Sequence, residues 1–180
     1  MNTDKKSIST QKHGKKGTKP QPSPVLVAEA QAIYGVREKD RVVDFMGLPG
    51  KKSSSAVNYD AYFIEVIRKG VPKKVLDHLL LKLGFTEDEM ASFLHVSKRT
   101  LQRRAPQEAL NQEQSERLIE LARLYSKGAE VLGGIESFKR WMDTNIVSLG
   151  NKKPKDFLDT SIGINFLIDE LGRIEHGVYS

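Results

Sequence analysis

The side chains best suited to recognising another molecule fall in one eight-residue run, Ser97, Lys98, Arg99, Thr100, Leu101, Gln102, Arg103 and Arg104. Arginine and glutamine make paired hydrogen bonds to base edges, arginine to guanine and glutamine to adenine. Lysine and the hydroxyls of serine and threonine suit phosphate oxygens. A basic helix face is more often plain solvated surface, and what favours DNA here is the segment in front of it. Thr86 to Arg104 (TEDEMASFLHVSKRTLQRR) has the spacing of two short helices packed at an open angle. Ala91 is small where the second helix approaches, Met90 and Leu94 face inward, and Val96 and Leu101 fill the space between the helices. In this arrangement the second helix, Ser97 to about Ala105, enters the major groove with Lys98, Arg99, Gln102 and Arg103 outward. Arg104 stands where an apolar residue usually faces inward, so the end of that helix is expected to be short or tilted. His95 occupies the turn, where glycine is common, and histidine tolerates a positive φ better than most residues. With no second histidine at ligand spacing, it reads as a turn residue and not a metal ligand.

Other chemistries find little to build on. The chain has no cysteine, no phosphate-binding glycine loop, no Ser-His-Asp set and no paired carboxylates with a plausible cleft, so no catalytic residue, metal site or cofactor is expected. A chain without cysteine fits a reducing cytoplasm. No run approaches the roughly 20 apolar residues that span a bilayer, and no signal-peptide stretch is evident, so the expected location is cytoplasmic, with no membrane partner. Trp141, beside Phe138 and Ile146, reads as core before it reads as an anchor for a partner. Phe157, Ile164, Phe166, Leu167 and Leu171 likewise read as the packed face of the last helices.

These residues are positioned by a chain punctuated like a series of helices. A short helix is expected over Val25 to Tyr34, and Gly47 to Ser55 reads as a linker. Tyr59 to Lys69 ends at Gly70, and Pro72 suits the first turn of a helix running to Leu83 and closed by Gly84. Thr86 with Glu89 is a capping box, Ser97 a cap, and Asn111 with Gln114 the start of a long helix to Leu132. On that helix Leu118, Leu121, Ala122, Tyr125, Ala129 and Leu132 recur at three and four, which marks one buried face. Further helices are expected over Ile135 to Asn145, Pro154 to Asp159 and Ser161 to Leu171, the last stopping at Gly172. The expected fold is therefore all-α. Its parts are a disordered or weakly structured basic tail and linker over 1–56, a helix-turn-helix domain over 57–110, and a small helical domain over 111–180.

The net charge of +6 is unevenly placed. Residues 1–24 hold six Lys against one Asp, residues 25–105 hold 14 basic and 10 acidic groups, and residues 106–180 hold 9 and 12. The positive field thus lies in the half that carries the bihelical motif, which agrees with a polyanionic partner there.

The sequence resembles the Xre/ParS-type antitoxins of RES-Xre toxin-antitoxin systems. The likeness runs through IRKGVP (Ile67 to Pro72), SKRTLQRR (Ser97 to Arg104) and NQEQSERLIELARLYSKGAEVLG (Asn111 to Gly133). It continues through Trp141, Leu149-Gly150, Pro154, LDTSIG (Leu158 to Gly163) and RIEHGVYS (Arg173 to Ser180), and covers about residues 57–180. The charged Lys152, Lys153 and Lys155 around Pro154 depart from the small or apolar residues usual in that family. The resemblance implies a homodimer that binds operator DNA, represses its own operon and neutralises a RES-domain toxin that depletes NAD, with 111–180 as the toxin-binding domain. The closing segment Arg173, Ile174, Glu175, His176, Gly177, Val178 and Tyr179 has too few apolar residues for a core of its own. It is expected to extend beyond Gly172 and block the toxin's cleft; packing against its own domain is the competing reading. A reading from another class is a stand-alone helix-turn-helix regulator whose C-terminal domain dimerises or senses a ligand. A small helical enzyme is the poorest reading.

Overall fold

The computed structural model describes residues 39–48 and 59–177. All of its regular elements are helical. Residues 39–46 belong to α1, followed by α2 (Tyr59–Lys69), α3 (Lys73–Leu83), α4 (Glu87–Phe93), α5 (Lys98–Arg103), α6 (Gln112–Val131), α7 (Ile135–Asp143) and α8 (Ser161–Glu175). Two short 3-10 turns, Val147–Leu149 and Pro154–Phe157, lie between α7 and α8. The expected helix over Val25 to Tyr34 and most of the Gly47 to Ser55 linker fall outside the described residues.

Local chemistry accounts for most of the boundaries. The Thr86 side chain accepts from the Glu89 amide while the Glu89 carboxylate accepts from the Thr86 amide, and Asn111 and Gln114 form the same reciprocal pair at the start of α6. Gly84 closes α3 in the left-handed region at φ 76, where a side chain would be strained. The first turn of α3 has no side-chain cap. Its amides are met instead by the chain entering from α5, Lys73 donating to the Glu108 carbonyl at 2.9 Å and Lys74 to the Pro106 carbonyl at 2.8 Å.

The helix α6 is the shared wall of the molecule, packing against α2 and α3 of the N-terminal part and against α7 and α8 of the C-terminal part. Leu118, Leu121, Ala122, Leu124 and Tyr125 are buried along it, in the same core as Val71, Leu76 and Leu79 from the N-terminal side and Phe138, Ile164, Leu167 and Leu171 from the C-terminal side. Arg117 crosses the same boundary. Its Nε donates to the Phe93 carbonyl at 2.7 Å and its Nη2 to the Asp159 carbonyl at 3.1 Å, with the guanidinium over the Phe93 ring. Phe138 packs edge-on to Tyr125 and stacks on Trp141, which places half-buried Trp141 against the core as expected.

Four expectations differ. Residues 39–46, expected as part of a disordered or weakly structured stretch, form α1 because Val42, Val43 and Met46 find burial in the core. The helix from Ile135 stops at Asp143, where Thr144 turns extended and its hydroxyl donates to the Arg140 carbonyl at 2.7 Å. The expected helix over Pro154 to Asp159 is a single 3-10 turn ending at Phe157. The last helix does not stop at Gly172 but runs on to Glu175, capped by His176 and turned by Gly177 at φ 67. A glycine inside a helix costs about 1 kcal/mol against alanine, and side-chain contacts offset it here. Arg173 Nε donates to Glu170 at 2.8 Å, Lys127 pairs with Glu175 at 2.5 Å, and Ile174 packs on the core.

Gly128 sets the α6–α7 spacing. A Cβ there would lie 2.1 Å from Phe138, whose ring is fully buried. In an isolated helix Gly128→Ala would stabilise, but in this packing it must displace a ring with nowhere to go. We expect destabilisation by about 1–3 kcal/mol, read as a lower urea midpoint; a midpoint at or above wild type would show that α7 gives way freely.

Candidate nucleic-acid interface and C-terminal surface

Met90, Ala91, Leu94 and Leu101 are buried between α4 and α5, and Val96 is half-buried, as the motif requires. His95 makes the turn at φ 54, the left-handed conformation expected of it. Ser97 caps α5 by accepting from the Thr100 amide at 3.1 Å. Six of the seven candidate DNA-contacting residues, Ser97, Lys98, Arg99, Thr100, Gln102 and Arg103, are exposed together on this one short helix and its cap. Arg104 is set apart. It ends α5 in an extended conformation and folds back beside Glu108, its guanidinium mostly covered. The helix is thus short at the residue where a charge stands in place of an apolar side chain.

The exposed face is divided into two stripes. Lys98 and Gln102, one turn apart, lean toward the first turn of α4. Lys98 Nζ lies 2.7 Å from Asp88 and 3.9 Å from Glu87, and the Gln102 amide donates to Glu87 at 2.7 Å. The hydrogen bond that Lys98 donates to Asp88, with the charge of both carboxylates, holds its ammonium above its ordinary pKa. Arg99 and Arg103, also one turn apart, have no ion pair or hydrogen bond among the described residues. The sequence marks Glu87 and Asp88 only as favourable charges at a helix start. Their reach across 10 to 15 positions to α5 follows from the angle between the helices and has no local signal.

At the other end of the chain, Arg173, Ile174 and Glu175 lie on α8 and are engaged with their own domain, whereas His176 and Gly177 are exposed at its tip. The expectation of an extended segment starting after Gly172 is therefore corrected for these five residues; Val178 and Tyr179 lie outside the described set. Of the five aromatic and aliphatic residues expected on the packed face, Ile164, Leu167 and Leu171 are fully buried and Phe157 half-buried, but Phe166 is 37% exposed. Its ring lies tilted against Phe157, centroids 5.7 Å apart, and it shares an outer face of α8 with Ile162, which is 83% exposed. Ile162 reads as a helix residue in sequence, and only the packing shows that it faces out. No described helix is long and apolar enough to cross a membrane.

The fold and its exposed face define a helical protein with a helix-turn-helix followed by a C-terminal helical unit. A family model for the antitoxin Xre-like helix-turn-helix domain matches residues 63–123, and one for the antitoxin Xre/MbcA/ParS C-terminal toxin-binding domain matches residues 127–177. Together the two matches span more than half of the chain, and it belongs to the Xre/ParS-type antitoxin family. Relatives include an Antitoxin Xre of Yersinia enterocolitica, 28% identical over 137 residues and covering 75% of this chain and 88% of its own. An Antitoxin Xre of Photorhabdus laumondii is 25% identical over 133 residues, covering 73% and 87%. Among solved structures, the chain is similar to one in the Mycobacterium tuberculosis MbcT-MbcA toxin-antitoxin complex, at 20% identity and a TM-score of 0.42, over 69% of this chain and all of that one.

Glu170 links the C-terminal pieces, accepting from Ser148 at 2.8 Å and from Arg173. Burial by itself raises its pKa, but the Ser148 hydroxyl and the Arg173 guanidinium outweigh burial and hold the carboxyl below its ordinary value. A depressed carboxyl stabilises the fold above its unfolded pKa, and that contribution is lost as pH falls through the lower folded value. Wild type should therefore lose stability on acidification below about pH 4.3, the unfolded glutamate value, more steeply than Glu170→Gln. Urea midpoints across the acid range test this, and parallel curves for the two proteins would remove Glu170 as the source.

Proposed function

We propose that this chain is the antitoxin of a type II toxin-antitoxin pair. Its C-terminal half neutralises a RES-domain toxin that depletes NAD, and its helix-turn-helix binds operator DNA to repress its own operon. The observation that carries the reading is the order of the two family matches on one chain, an Xre-like helix-turn-helix followed by a C-terminal toxin-binding domain. The chain acts by occupancy: it covers a cleft at one end and a groove at the other, with no chemistry of its own. Its place of action is the cytoplasm, where operator, toxin and NAD are found together.

The DNA-facing surface in this reading is Ser97 to Arg103, with Arg99 and Arg103 reaching bases or phosphates and the hydroxyls of Ser97 and Thr100 on the backbone. A six-residue helix reads only a few base pairs, so two copies on an inverted repeat are needed, their half-sites about one helical turn apart. Arg99→Ala or Arg103→Ala should weaken operator binding by about 1–3 kcal/mol if the residue contacts a base, and weaken binding to all duplexes alike if it contacts phosphate. Gel-shift titrations on operator and scrambled DNA read both outcomes. Full operator binding by the doubly substituted protein would overturn the groove assignment.

Because α8 continues to Glu175, removing everything after Leu171 would also break the Arg173–Glu170 and Lys127–Glu175 pairs. The cleaner test of the blocking role proposed for the closing segment is a chain ending at Gly177, which keeps both pairs. We expect it to bind operator as before, to co-purify with the proposed RES-domain toxin through the helical surface, and to fail to protect cells that express that toxin. Protection equal to that of the full chain would move the blocking contact off residues 178–180. Failure of the full-length chain to co-purify with any such toxin would overturn the neutralisation reading itself.

A further inference from the structure

Two acidic side chains of α4 reach the face that would meet DNA, and they hold two of its six exposed polar residues, Lys98 and Gln102. Glu87 and Asp88 are exposed in the first turn of α4, yet both reach across to α5. Asp88 engages Lys98 at 2.7 Å and Glu87 engages the Gln102 amide at 2.7 Å. Neither contact is needed to start α4, since the capping box is made by Thr86 and Glu89. Both bridge the two helices at the surface, outside the packing of α4 on α5, which runs through buried Met90, Ala91, Leu94 and Leu101. What the two carboxylates do is place negative charge beside the donors that would meet phosphate oxygens and base edges.

We propose that Glu87 and Asp88 are affinity- and specificity-setting residues that compete within the chain for Lys98 and Gln102, so that the Arg99–Arg103 stripe carries DNA binding. The inference rests on the DNA-binding reading above. For Lys98 to reach a phosphate it must leave one anion for another, and the exchange gains little. An exposed pair of this kind is worth at most about 1 kcal/mol, which lowers affinity without forbidding the contact. The carboxylates also sit where phosphates would approach and repel them at short range. Where they fall on Lys98 and on approaching phosphates, these effects act on contacts that carry no sequence information, and so hold down binding to non-operator DNA. Arg99 and Arg103 have no such partner among the described residues and remain available to read a base edge. The raised pKa of Lys98 is consistent with this: the lysine keeps its charge, and the neighbouring acids compensate that charge locally.

The test uses the full chain and two duplexes, the operator and a scrambled sequence, titrated over a range of salt. Asp88→Asn with Glu87→Gln keeps size and hydrogen-bonding capacity while removing both charges. It should tighten binding to the scrambled duplex by about three- to tenfold and steepen the log K against log salt slope by about 0.9 for one freed phosphate contact. Asp88→Glu, which keeps the charge, should behave as wild type. Lys98→Ala supplies a readout that a merely structural role would not move: it should matter little in the wild-type background and weaken binding several-fold in the doubly neutralised one. Thermal unfolding of each variant checks that α4 persists. Wild type that binds operator while the neutralised variant binds no tighter, or more weakly, overturns the competition and leaves DNA binding standing. Absence of binding to either duplex by wild type and variants alike overturns the DNA-binding reading and this inference with it.

Discussion

Arg117 is the residue through which the two halves of the molecule are joined. It is buried on α6 and finds no carboxylate among the described residues; its guanidinium donates to carbonyls, one at the end of α4 and others, from Leu158 and Asp159, just before α8. The α4 carbonyl is at a helix C-terminus, where the backbone carries partial negative charge and a cation is favoured. The Phe93 ring beneath the guanidinium adds a second favourable contact while shielding both from water. A charge buried this way is strongly unfavourable unless it is hydrogen-bonded, so the position of α4 and the approach to α8 are both constrained by the bonds from Nε and Nη2. A neutral residue of the same length would fill the space but leave those carbonyls unpaired.

The rest of the core follows from α6 acting as a wall with two faces. Ser115, near its start, accepts from the Val71 amide at 2.9 Å and donates to the Asn111 carbonyl, which anchors the entrance to α3. Toward its other end, Gly128 lets Phe138 sit against the α6 backbone, and Tyr125 meets the same ring edge-on. The α8 helix closes the opposite side, with Ile164, Leu167 and Leu171 inward and Ser161 hydrogen-bonded to Glu120. Burial is continuous from the N-terminal helices to the last one. The helix-turn-helix is therefore braced by the helices that follow it, and its orientation relative to the C-terminal surface is set by packing and not by a linker.

What could be read from sequence was what is decided within a few residues. The boxes at Thr86 and Asn111, the cap at Ser97, the glycine closing α3 and the positive φ at His95 all have causes three or four positions away. Features decided by contacts between elements were not legible. Gly172 looks like a stop because glycine often is one, yet Lys127, 48 residues from its partner Glu175, holds the turn beyond it. Phe166 looks like core because it is aromatic among aliphatic residues, but its position on α8 turns it outward, with Ile162 one turn before it. Arg117 and the Glu87–Gln102 contact give no sequence signal at all, since a surface charge and a buried one are written with the same letter. The family resemblance carried the order of the domains, and the physical reading of residues carried the helix ends at Thr86, Ser97, Asn111 and Gly84.

Charge, more than helix geometry, limits how the α5 face can act. The formal excess of +6 suggests a generous positive field, but many of the described cations are already matched. Lys73 pairs with Asp77, Lys139 with Glu136, Lys155 with Asp143, Arg104 with Glu108 and Lys98 with Asp88. An exposed pair still presents little net charge at a distance beyond the screening length of about 8–10 Å, so matched cations contribute weakly to attracting a polyanion. On the reading proposed above, two arginines one turn apart supply most of the near-field attraction of α5, and a single copy is a weak binder by construction. Useful affinity then depends on joining two such faces, because paired sites multiply a modest contact that neither helix supplies alone.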